Sequence, residues 1–471
     1  MVIESLKYKI LQQFGFAPTQ EQGQALDTFV SFLTDRDPQA VMILRGSAGT
    51  GKTSLSGAIV RTLLQIRQKV MLLAPTGRAA KVFSLGSGAP AYTIHRRIYR
   101  EKAFAGVDGQ FSLNDNLYTD TLFMVDEASM IANMGLGGTT FGSGCLLDDL
   151  VKFVYQGHND RLLLIGDKAQ LPPVGEEESP ALSASVMEGY GLKVYECDLN
   201  EVLRQSQSSG ILYNATLIRQ MITHDAVTGL PLIRFKGFAD IVMMPGAELV
   251  ESLGDSYHHV GMDETMVITR SNKRANIYNN GIRNMVLDRE EELSSGDMLM
   301  IVKNNYFWTE KEKKESGEGS AGAVPAFLAN GDRAKVLRVS NYIELYGFRF
   351  ATLLLQLPDY DDYEMQVTGM LDTLQSEAPA LTHEQQEELF RQVEEDYQHF
   401  VPLKADRMKS IRQDAYFNAL QIKYAYAVTC HKAQGGQWAH VYVDQGYMTD
   451  DMLTPDYIHW LYTAFTRATE K

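Results

Sequence analysis

Leu44-Arg45-Gly46-Ser47-Ala48-Gly49-Thr50-Gly51-Lys52-Thr53 is the stretch on which the fold turns. It closes a short apolar run, VMILRG (41–46), and opens a segment with helical periodicity, 52–68. A glycine-rich loop between a buried strand and a helix is the context a phosphate-cradling P-loop needs. Its glycines let backbone N–H groups turn inward, and the helix adds its positive N-terminus. In this reading Gly46, Ser47, Ala48, Gly49, Thr50 and Gly51 hold the phosphates of ATP. Lys52 bridges the β and γ phosphates, and Thr53 holds Mg2+ through its hydroxyl.

Outward from this loop, KVMLLAPT (69–76), TLFMVDEAS (121–129) and RLLLIGD (161–167) are further apolar runs that end in polar loops. That is the pattern of a parallel sheet with crossover helices, an α/β fold whose ligands sit beyond the carboxyl ends of the strands. Asp126 closes one strand, where a buried carboxylate requires a cationic partner, and Mg2+ supplies it. Glu127, next in the chain, is placed to orient and deprotonate an attacking water. Gln170, in Gly166-Asp167-Lys168-Ala169-Gln170, is placed to sense the γ-phosphate or its water.

The remaining chain divides in two. TMVITRSN (265–272), YAYAVTCHKAQ (424–434) and IHWLYTAFTRA (458–468) read as a strand, a strand followed by a loop, and a helix of a second α/β unit. Between them, 296–306, 330–339 and 349–357 read as strands of a β-barrel-like insert, and KEKKESGEGSAG (311–322) as a mobile polar loop. The segment 381–400 reads as a helix, with Thr382 and Gln385 in a capping box and Leu389, Phe390, Val393 and Tyr397 on one face. The expected division is 1–185, then 186–292 with 422–471, and the insert 293–421.

At 471 residues the chain is long enough for two to four domains. The net charge of −15 argues against a nucleic-acid partner until it is located. Residues 359–396 hold twelve acids and one base, which leaves −4 for the rest of the chain. A positive groove elsewhere is therefore allowed, and the acidic insert 359–396 is a candidate partner site. The three cysteines, Cys145, Cys197 and Cys430, lack metal or disulfide spacing, as in a reducing compartment. No signal peptide or membrane span is read, and the expected location is the cytoplasm, at the nucleoid if the source is bacterial.

The motifs together resemble superfamily-one helicases, within them the RecD-like and Dda-like group. LRGSAGTGKT looks like motif I, APTGRAAK (74–81) motif Ia, MVDEASM (124–130) motif II and GDKAQLPPVG (166–175) motif III. EVLRQ (201–205) looks like motif IV, AVTCHKAQG (427–435) motif V and YTAFTRA (462–468) motif VI. The resemblance implies two RecA-like domains with ATP between them, a hairpin insert at about 96–120 in the first and an SH3-like insert in the second. It makes Gln22 the adenine-reading glutamine and Arg204 and Arg467 the arginines that reach the γ-phosphate, and it adds Gly435 to the nucleotide site. The function it implies is a monomeric 5′→3′ DNA helicase acting on single strands and duplex junctions in replication, repair or recombination.

On the strand path the resemblance points to Thr76, Arg78, Thr93, His95, Thr429, His431 and Lys432. VDG (107–109) is a hairpin turn, and Phe104 or Phe111 would be the residue of a strand-separating pin. An RNA or RNA–DNA helicase and a nucleotide-switched DNA-binding ATPase without unwinding stay open as alternatives, whereas a fused nuclease is disfavoured. The chain ends at Lys471, right after the motif VI look-alike, where the family has a further strand. A truncated chain is therefore an expectation.

Overall fold

The computed structural model describes residues 2–104, 109–135, 142–202, 208–223, 229–316, 324–325 and 327–471. In the first RecA-like domain, period-two alternation assigns each strand side chain to one of two layers. Met42 and Leu44 of β1 (Ala40–Gly46) join the core under the helices Gln20–Thr34, Lys52–Gln65 and Gly77–Ser87. Val41 and Ile43 join the opposite core, under Leu146–Gln156. Both faces are covered, which is why the strand is apolar throughout.

The strands of this half are β2 (Lys69–Ala74), β3 (Ala91–Thr93), β4 (Tyr99–Phe104), β5 (Gly109–Leu113), β6 (Thr121–Val125), β7 (Arg161–Gly166) and β8 (Lys193–Leu199). The main sheet has the order β3-β2-β6-β7-β1-β8, and its pairs are parallel. The loops after β1, β6 and β7 therefore open at one edge, bringing Lys52, Asp126 and Gln170 to the same side. β4 and β5 form the expected antiparallel hairpin outside the sheet. The turn residues Val107 and Asp108 lie outside the described residues.

The second half contains β9 (Thr265–Thr269), β10 (Met298–Ile301), β11 (Arg333–Leu345), β12 (Phe348–Leu357), β13 (Tyr363–Met370), β14 (Leu420–Tyr424), β15 (Ala427–Thr429) and β16 (His440–Val443). The second RecA-like domain is built on the parallel sheet β15-β9-β16. After the helix Pro455–Phe465 the chain runs back along this sheet. Trp438 N–H donates to the Arg467 carbonyl, Thr469 N–H to Trp438, and Val441 N–H to Lys471.

The SH3-like insert is a closed barrel, β10-β11-β12-β13-β14. Its β14 and the following β15 correct the sequence reading of one strand from Tyr424. The stretch from 420 to 429 is two strands, with Ala425 and Tyr426 carrying the chain from barrel to sheet. The fully buried Asp297 fixes this passage, accepting from Arg283 Nε at 3.0 Å, Arg289 Nη1 at 2.8 Å and the Tyr426 hydroxyl at 2.8 Å.

Two further expectations change. The segment read as a mobile loop at 311–322 begins in a helix, Phe307–Ser316, and 317–323 lies outside the described residues. Runs of Lys and Glu favour a helix over a coil. The helix expected at 381–400 spans His383–Gln398, with the Thr382–Gln385 capping box formed and Leu389 and Val393 buried against Phe350 and Ile411.

Candidate active site and strand path

The phosphate loop has the backbone its sequence calls for. Gly49 (φ 78°) and Gly51 (φ 80°) are left-handed, a conformation that costs glycine little and other residues more. A Cβ on Gly46 would lie 2.7 Å from Cγ of Lys52, so only glycine leaves room for that side chain. Lys52 Nζ donates to the carbonyls of Gly46 and, at 3.2 Å, Ser47. Thr50 Oγ1 closes the turn by donating to Ser47 O at 2.8 Å. Thr53, in the first turn of the following helix, is exposed.

Gln22 is buried behind this loop. Its Nε2 donates to Thr50 O at 2.9 Å, and its Oε1 accepts from Thr19 N–H at 3.0 Å. The amide thus braces the loop and caps its own helix.

Asp126 and Glu127 stand at the end of β6. Burial first, and then the neighbouring Glu127, push the Asp126 carboxyl up to about 7, while Lys52 pulls it down. A divalent cation would hold this carboxylate ionised, so the residues fit Mg2+ with Thr53 as the second protein ligand. The ion ordinarily takes few protein ligands and completes its shell with phosphate and water. Glu127 has φ 52°, an uncommon left-handed backbone for a residue with a side chain, of the kind that collects at functional sites.

Facing Glu127 from the second domain is Arg467. The Arg467 Nη1 to Glu127 Oε1 distance is 3.9 Å. The Gln170 carboxamide lies between them. With its nitrogen toward the carboxylate and its oxygen toward the guanidinium, it donates to Glu127 Oε2 and accepts from Arg467 Nη2, each at 3.3 Å. Arg467 is otherwise held by the carbonyls of Thr463 and Gly436, both at 3.2 Å. Its expected companion Arg204 lies outside the described residues.

Several residues of this cleft escaped sequence reasoning. The Tyr462 hydroxyl donates to Asp167 Oδ2 at 2.6 Å and accepts the N–H of Ala48 at 3.0 Å, tying the last helix to the phosphate loop. The loop after β7 is gripped at three more points. Thr463 Oγ1 accepts from Leu171 N–H at 2.8 Å, Gln434 Nε2 donates to Leu171 O at 2.7 Å, and His459 Nδ1 bonds Ala169 O at 2.9 Å. Tyr462 and Thr463 stand in the same YTAFTRA stretch as Arg467, which is the signal that could have found them. Arg219, from the helix Gly210–Thr223, bonds Ser47 Oγ and carried no signal of its own.

Residues expected on the strand path fall into three groups. Thr76 and Thr93 are helix N-caps, accepting from Ala79 N–H at 3.2 Å and Arg96 N–H at 3.4 Å. Gly435, expected at the nucleotide site, packs on Thr76 and Ala79, where a Cβ on it would stand 3.1 Å from Thr76 Oγ1, so it meets the start of that helix. Arg78 is enclosed at a three-way junction. It donates to Gln437 O at 2.6 Å, stacks 4.7 Å from the Trp438 ring and lies 3.5 Å from Asp359 of the insert. Burial and Arg333 lower its pKa to about 10.

The third group lies nearer the surface. Thr429 caps the short helix Cys430–Ala433 without a side-chain bond, His431 is exposed, and Lys432 donates to Asn330 of the insert at 3.2 Å. Burial and Lys423 lower Lys432 to about 8, and burial lowers His95 to about 4, so His95 is neutral at neutral pH. On the hairpin, Phe111 packs 5.1 Å from the Tyr306 ring, which stacks on Phe327 at 4.7 Å. Phe104 lies in β4, and its side chain is outside the described residues. Among the described residues no helix is long and apolar enough to cross a membrane.

Comparison with known proteins gives two family matches. Residues 17–229 match an AAA domain family, and residues 424–471 match the UvrD-like helicase C-terminal domain. The chain is 30% identical over 157 residues to the ATP-dependent RecD2 DNA helicase of Deinococcus radiodurans, covering 33% of this chain and 18% of that protein. It is 25% identical over 267 residues to the ATP-dependent DNA helicase dda of Enterobacteria phage T4, covering 55% of each. The matches thus span about half or less of these curated relatives. A solved Bacteroides Pif1 bound to single-stranded DNA aligns over 96% of this chain and 90% of that one, at 14% identity and a TM-score of 0.46. The two family matches and the RecD2 and Dda relatives support a superfamily-one helicase in the group of the RecD-like and Dda-like enzymes.

Proposed function

We propose that this chain is an ATP-dependent DNA helicase that moves 5′→3′ on single-stranded DNA and opens duplex junctions ahead of it. The observation that carries the reading is the meeting of Glu127, Gln170 and Arg467 across the domain cleft, beside a P-loop that Tyr462 ties to the same helix. Separate domains that complete one hydrolytic site convert nucleotide state into relative motion.

In this mechanism Lys52 swings from the loop carbonyls to the β and γ phosphates. Glu127 orients a water and takes its proton, and Gln170 holds that carboxylate in line. Mg2+ held by Thr53 and Asp126 would neutralise charge on the phosphates. Arg467 stabilises charge on the terminal phosphate, and Arg204 is proposed as its companion. An arginine in this role is worth about 10³–10⁵ in rate in well-studied nucleotide hydrolases. Gln22, bonded to Thr50 O, positions the loop and the adenine end of the site.

The motion reaches the strand through the grip of His459, Thr463 and Gln434 on the loop after β7. Thr76, Thr93, His95, Thr429, His431 and Lys432 are proposed to hold the single strand, His95 as a neutral imidazole. Arg78 is proposed to act from its junction, through the position of the insert. The hairpin with Phe111 is the proposed pin. The domain boundaries proposed for this motor are 1–185, 186–292 with 422–471, and 293–421.

The test is steady-state ATP hydrolysis with single-stranded DNA, matched RNA or neither, beside displacement assays on 5′- and 3′-tailed duplexes. Stimulation by DNA with displacement only from the 5′ tail is expected. Stimulation by RNA alone moves the function to RNA. Stimulation without displacement from either tail favours a nucleotide-switched binding protein.

A further inference from the structure

Among the described residues, Arg219 reaches the phosphate loop and has no task in the mechanism above. It stands on the helix Gly210–Thr223, whose Ala215 and Ile218 are buried in the core of the second domain. The helix lies directly over the loop, with Leu212 carbons 3.2 and 3.3 Å from where a Cβ on Gly49 would be. From there Arg219 Nη1 bonds Ser47 Oγ, and both terminal nitrogens lie 3.5 Å from Asn200 O.

Three features distinguish this arginine from a surface charge. It has no carboxylate partner among the described residues, and its hydrogen bonds there are all to neutral oxygens. Arg45, on the strand before the loop, is by contrast paired with both Glu196 and Asp198. Arg219 also shares its loop residue with Lys52, whose Nζ lies 3.2 Å from Ser47 O, so two cations converge on Ser47 from opposite domains. It is separate from the Arg467 group, which faces Glu127. A guanidinium offers planar paired donors, a better match to phosphate oxygens than to a single hydroxyl.

We propose that Arg219 is a nucleotide contact supplied by the second domain, leaving Ser47 to take the terminal phosphate of a bound nucleoside triphosphate and so distinguishing triphosphate from diphosphate. The proposal rests on the nucleotide-site reading above and needs neither DNA nor unwinding. On loss of the terminal phosphate, Arg219 returns to Ser47, so its contact with the first domain passes from a phosphate to a neutral hydroxyl.

The test measures affinity for a fluorescent ADP and for a fluorescent non-hydrolysable ATP analogue, with Mg2+, in the full chain and in the Arg219→Ala and Arg219→Lys variants. Melting curves confirm that each variant is folded. The expected result is that Arg219→Ala loses at least tenfold in triphosphate affinity with diphosphate affinity within twofold, and that Arg219→Lys recovers part of the loss. An unchanged ratio of the two affinities overturns the proposal. So does an equal loss for both nucleotides, which would make Arg219 a support for the loop. Absence of DNA-stimulated hydrolysis in the unaltered chain would remove the helicase reading while leaving the affinity ratio to decide on Arg219.

Discussion

Glu127 and Arg467 face each other across the domain cleft at 3.9 Å, and the Gln170 carboxamide spans the gap with 3.3 Å contacts to both. They come from opposite domains, so the group exists only while the domains are closed. Arg467→Ala is expected to lower DNA-stimulated hydrolysis by about 10³-fold or more. Arg467→Lys should restore little, because an ammonium cannot reproduce the guanidinium fork. Single-strand binding without nucleotide should persist, and turnover beside a filter-binding titration measures both. Retention of more than a tenth of the rate would remove Arg467 from the site.

Tyr462 is a second tie across the same cleft, joining Ala48 N–H to Asp167. Tyr462→Phe keeps the ring and deletes one hydroxyl. It leaves a half-buried N–H and a buried carboxylate oxygen without that partner, a cost of about 1–3 kcal/mol. The expected outcome is a melting temperature lower by several degrees and a hydrolysis rate less responsive to DNA, by about tenfold. A variant that keeps full stimulation would show that the loop after β7 is coupled through Thr463, Gln434 and His459 without Tyr462.

How much of this is legible in the sequence follows from where the information sits in the chain. The P-loop, the Asp126-Glu127 strand end and the sheet strands can be read because each lies within a few consecutive residues, where periodicity and turn chemistry act. Glu127, Gln170 and Arg467 can be singled out, although their meeting does not follow from local patterns. The Tyr462–Ala48 bond joins residues 414 apart, and no local signal marks it. Arg219 looks like any helix-surface arginine until the helix is placed over Gly49. β13 is missing from the sequence reading because its alternating YEMQVTGM lies within the acid-rich stretch, whose charge masks the alternation. The division between β14 and β15 is hidden because both strands are largely buried, and the residues at the break, Ala425 and Tyr426, are no more polar than the strands they join.

The hairpin and the insert meet through Phe111, Tyr306 and Phe327. If this stack holds the hairpin against an advancing duplex, Tyr306→Ala should lower strand displacement by about tenfold and leave single-strand-stimulated hydrolysis within twofold. Aromatic pairs of this kind are worth about 0.5–1.5 kcal/mol beyond their buried area, enough to shift the hairpin's position without unfolding it. Equal losses in displacement and hydrolysis would mean that the stack supports the motor as a whole.

Asp297 gives a prediction for stability alone. Its carboxylate is fully buried and neutralised by Arg283 and Arg289, with Arg283 itself nearly buried. Asp297→Ala leaves an uncompensated buried guanidinium, a loss of about 3–5 kcal/mol. The insert and the second domain share this site, so both should melt earlier in calorimetry. A melting curve unchanged from the unaltered chain would show that the cluster is replaced by solvent at no cost.

Asp332 gives a pH dependence whose sign can be worked out. It projects from the insert onto Gly77, with Oδ1 standing where a Cβ on that glycine would clash, and it is fully buried. Its Oδ2 accepts from Ala329 N–H at 2.7 Å and from the Tyr360 hydroxyl at 2.6 Å. Burial is the largest influence and pushes the carboxyl from an ordinary 3.8 up to about 7. The folded state therefore holds this proton where the unfolded chain has lost it, and the associated stability falls as pH rises through the window from 3.8 to about 7. Asp332→Asn keeps the shape and the acceptor oxygen but cannot ionise. The variant and the unaltered chain should melt together near the lower end of the window, and the variant should melt higher above it. A gain of 1 kcal/mol corresponds to about 2–4 °C in a domain of 150–250 residues. Melting temperatures across that range measure the gap between the two proteins. A gap that does not change with pH would mean that burial does not raise the Asp332 carboxyl in the folded protein.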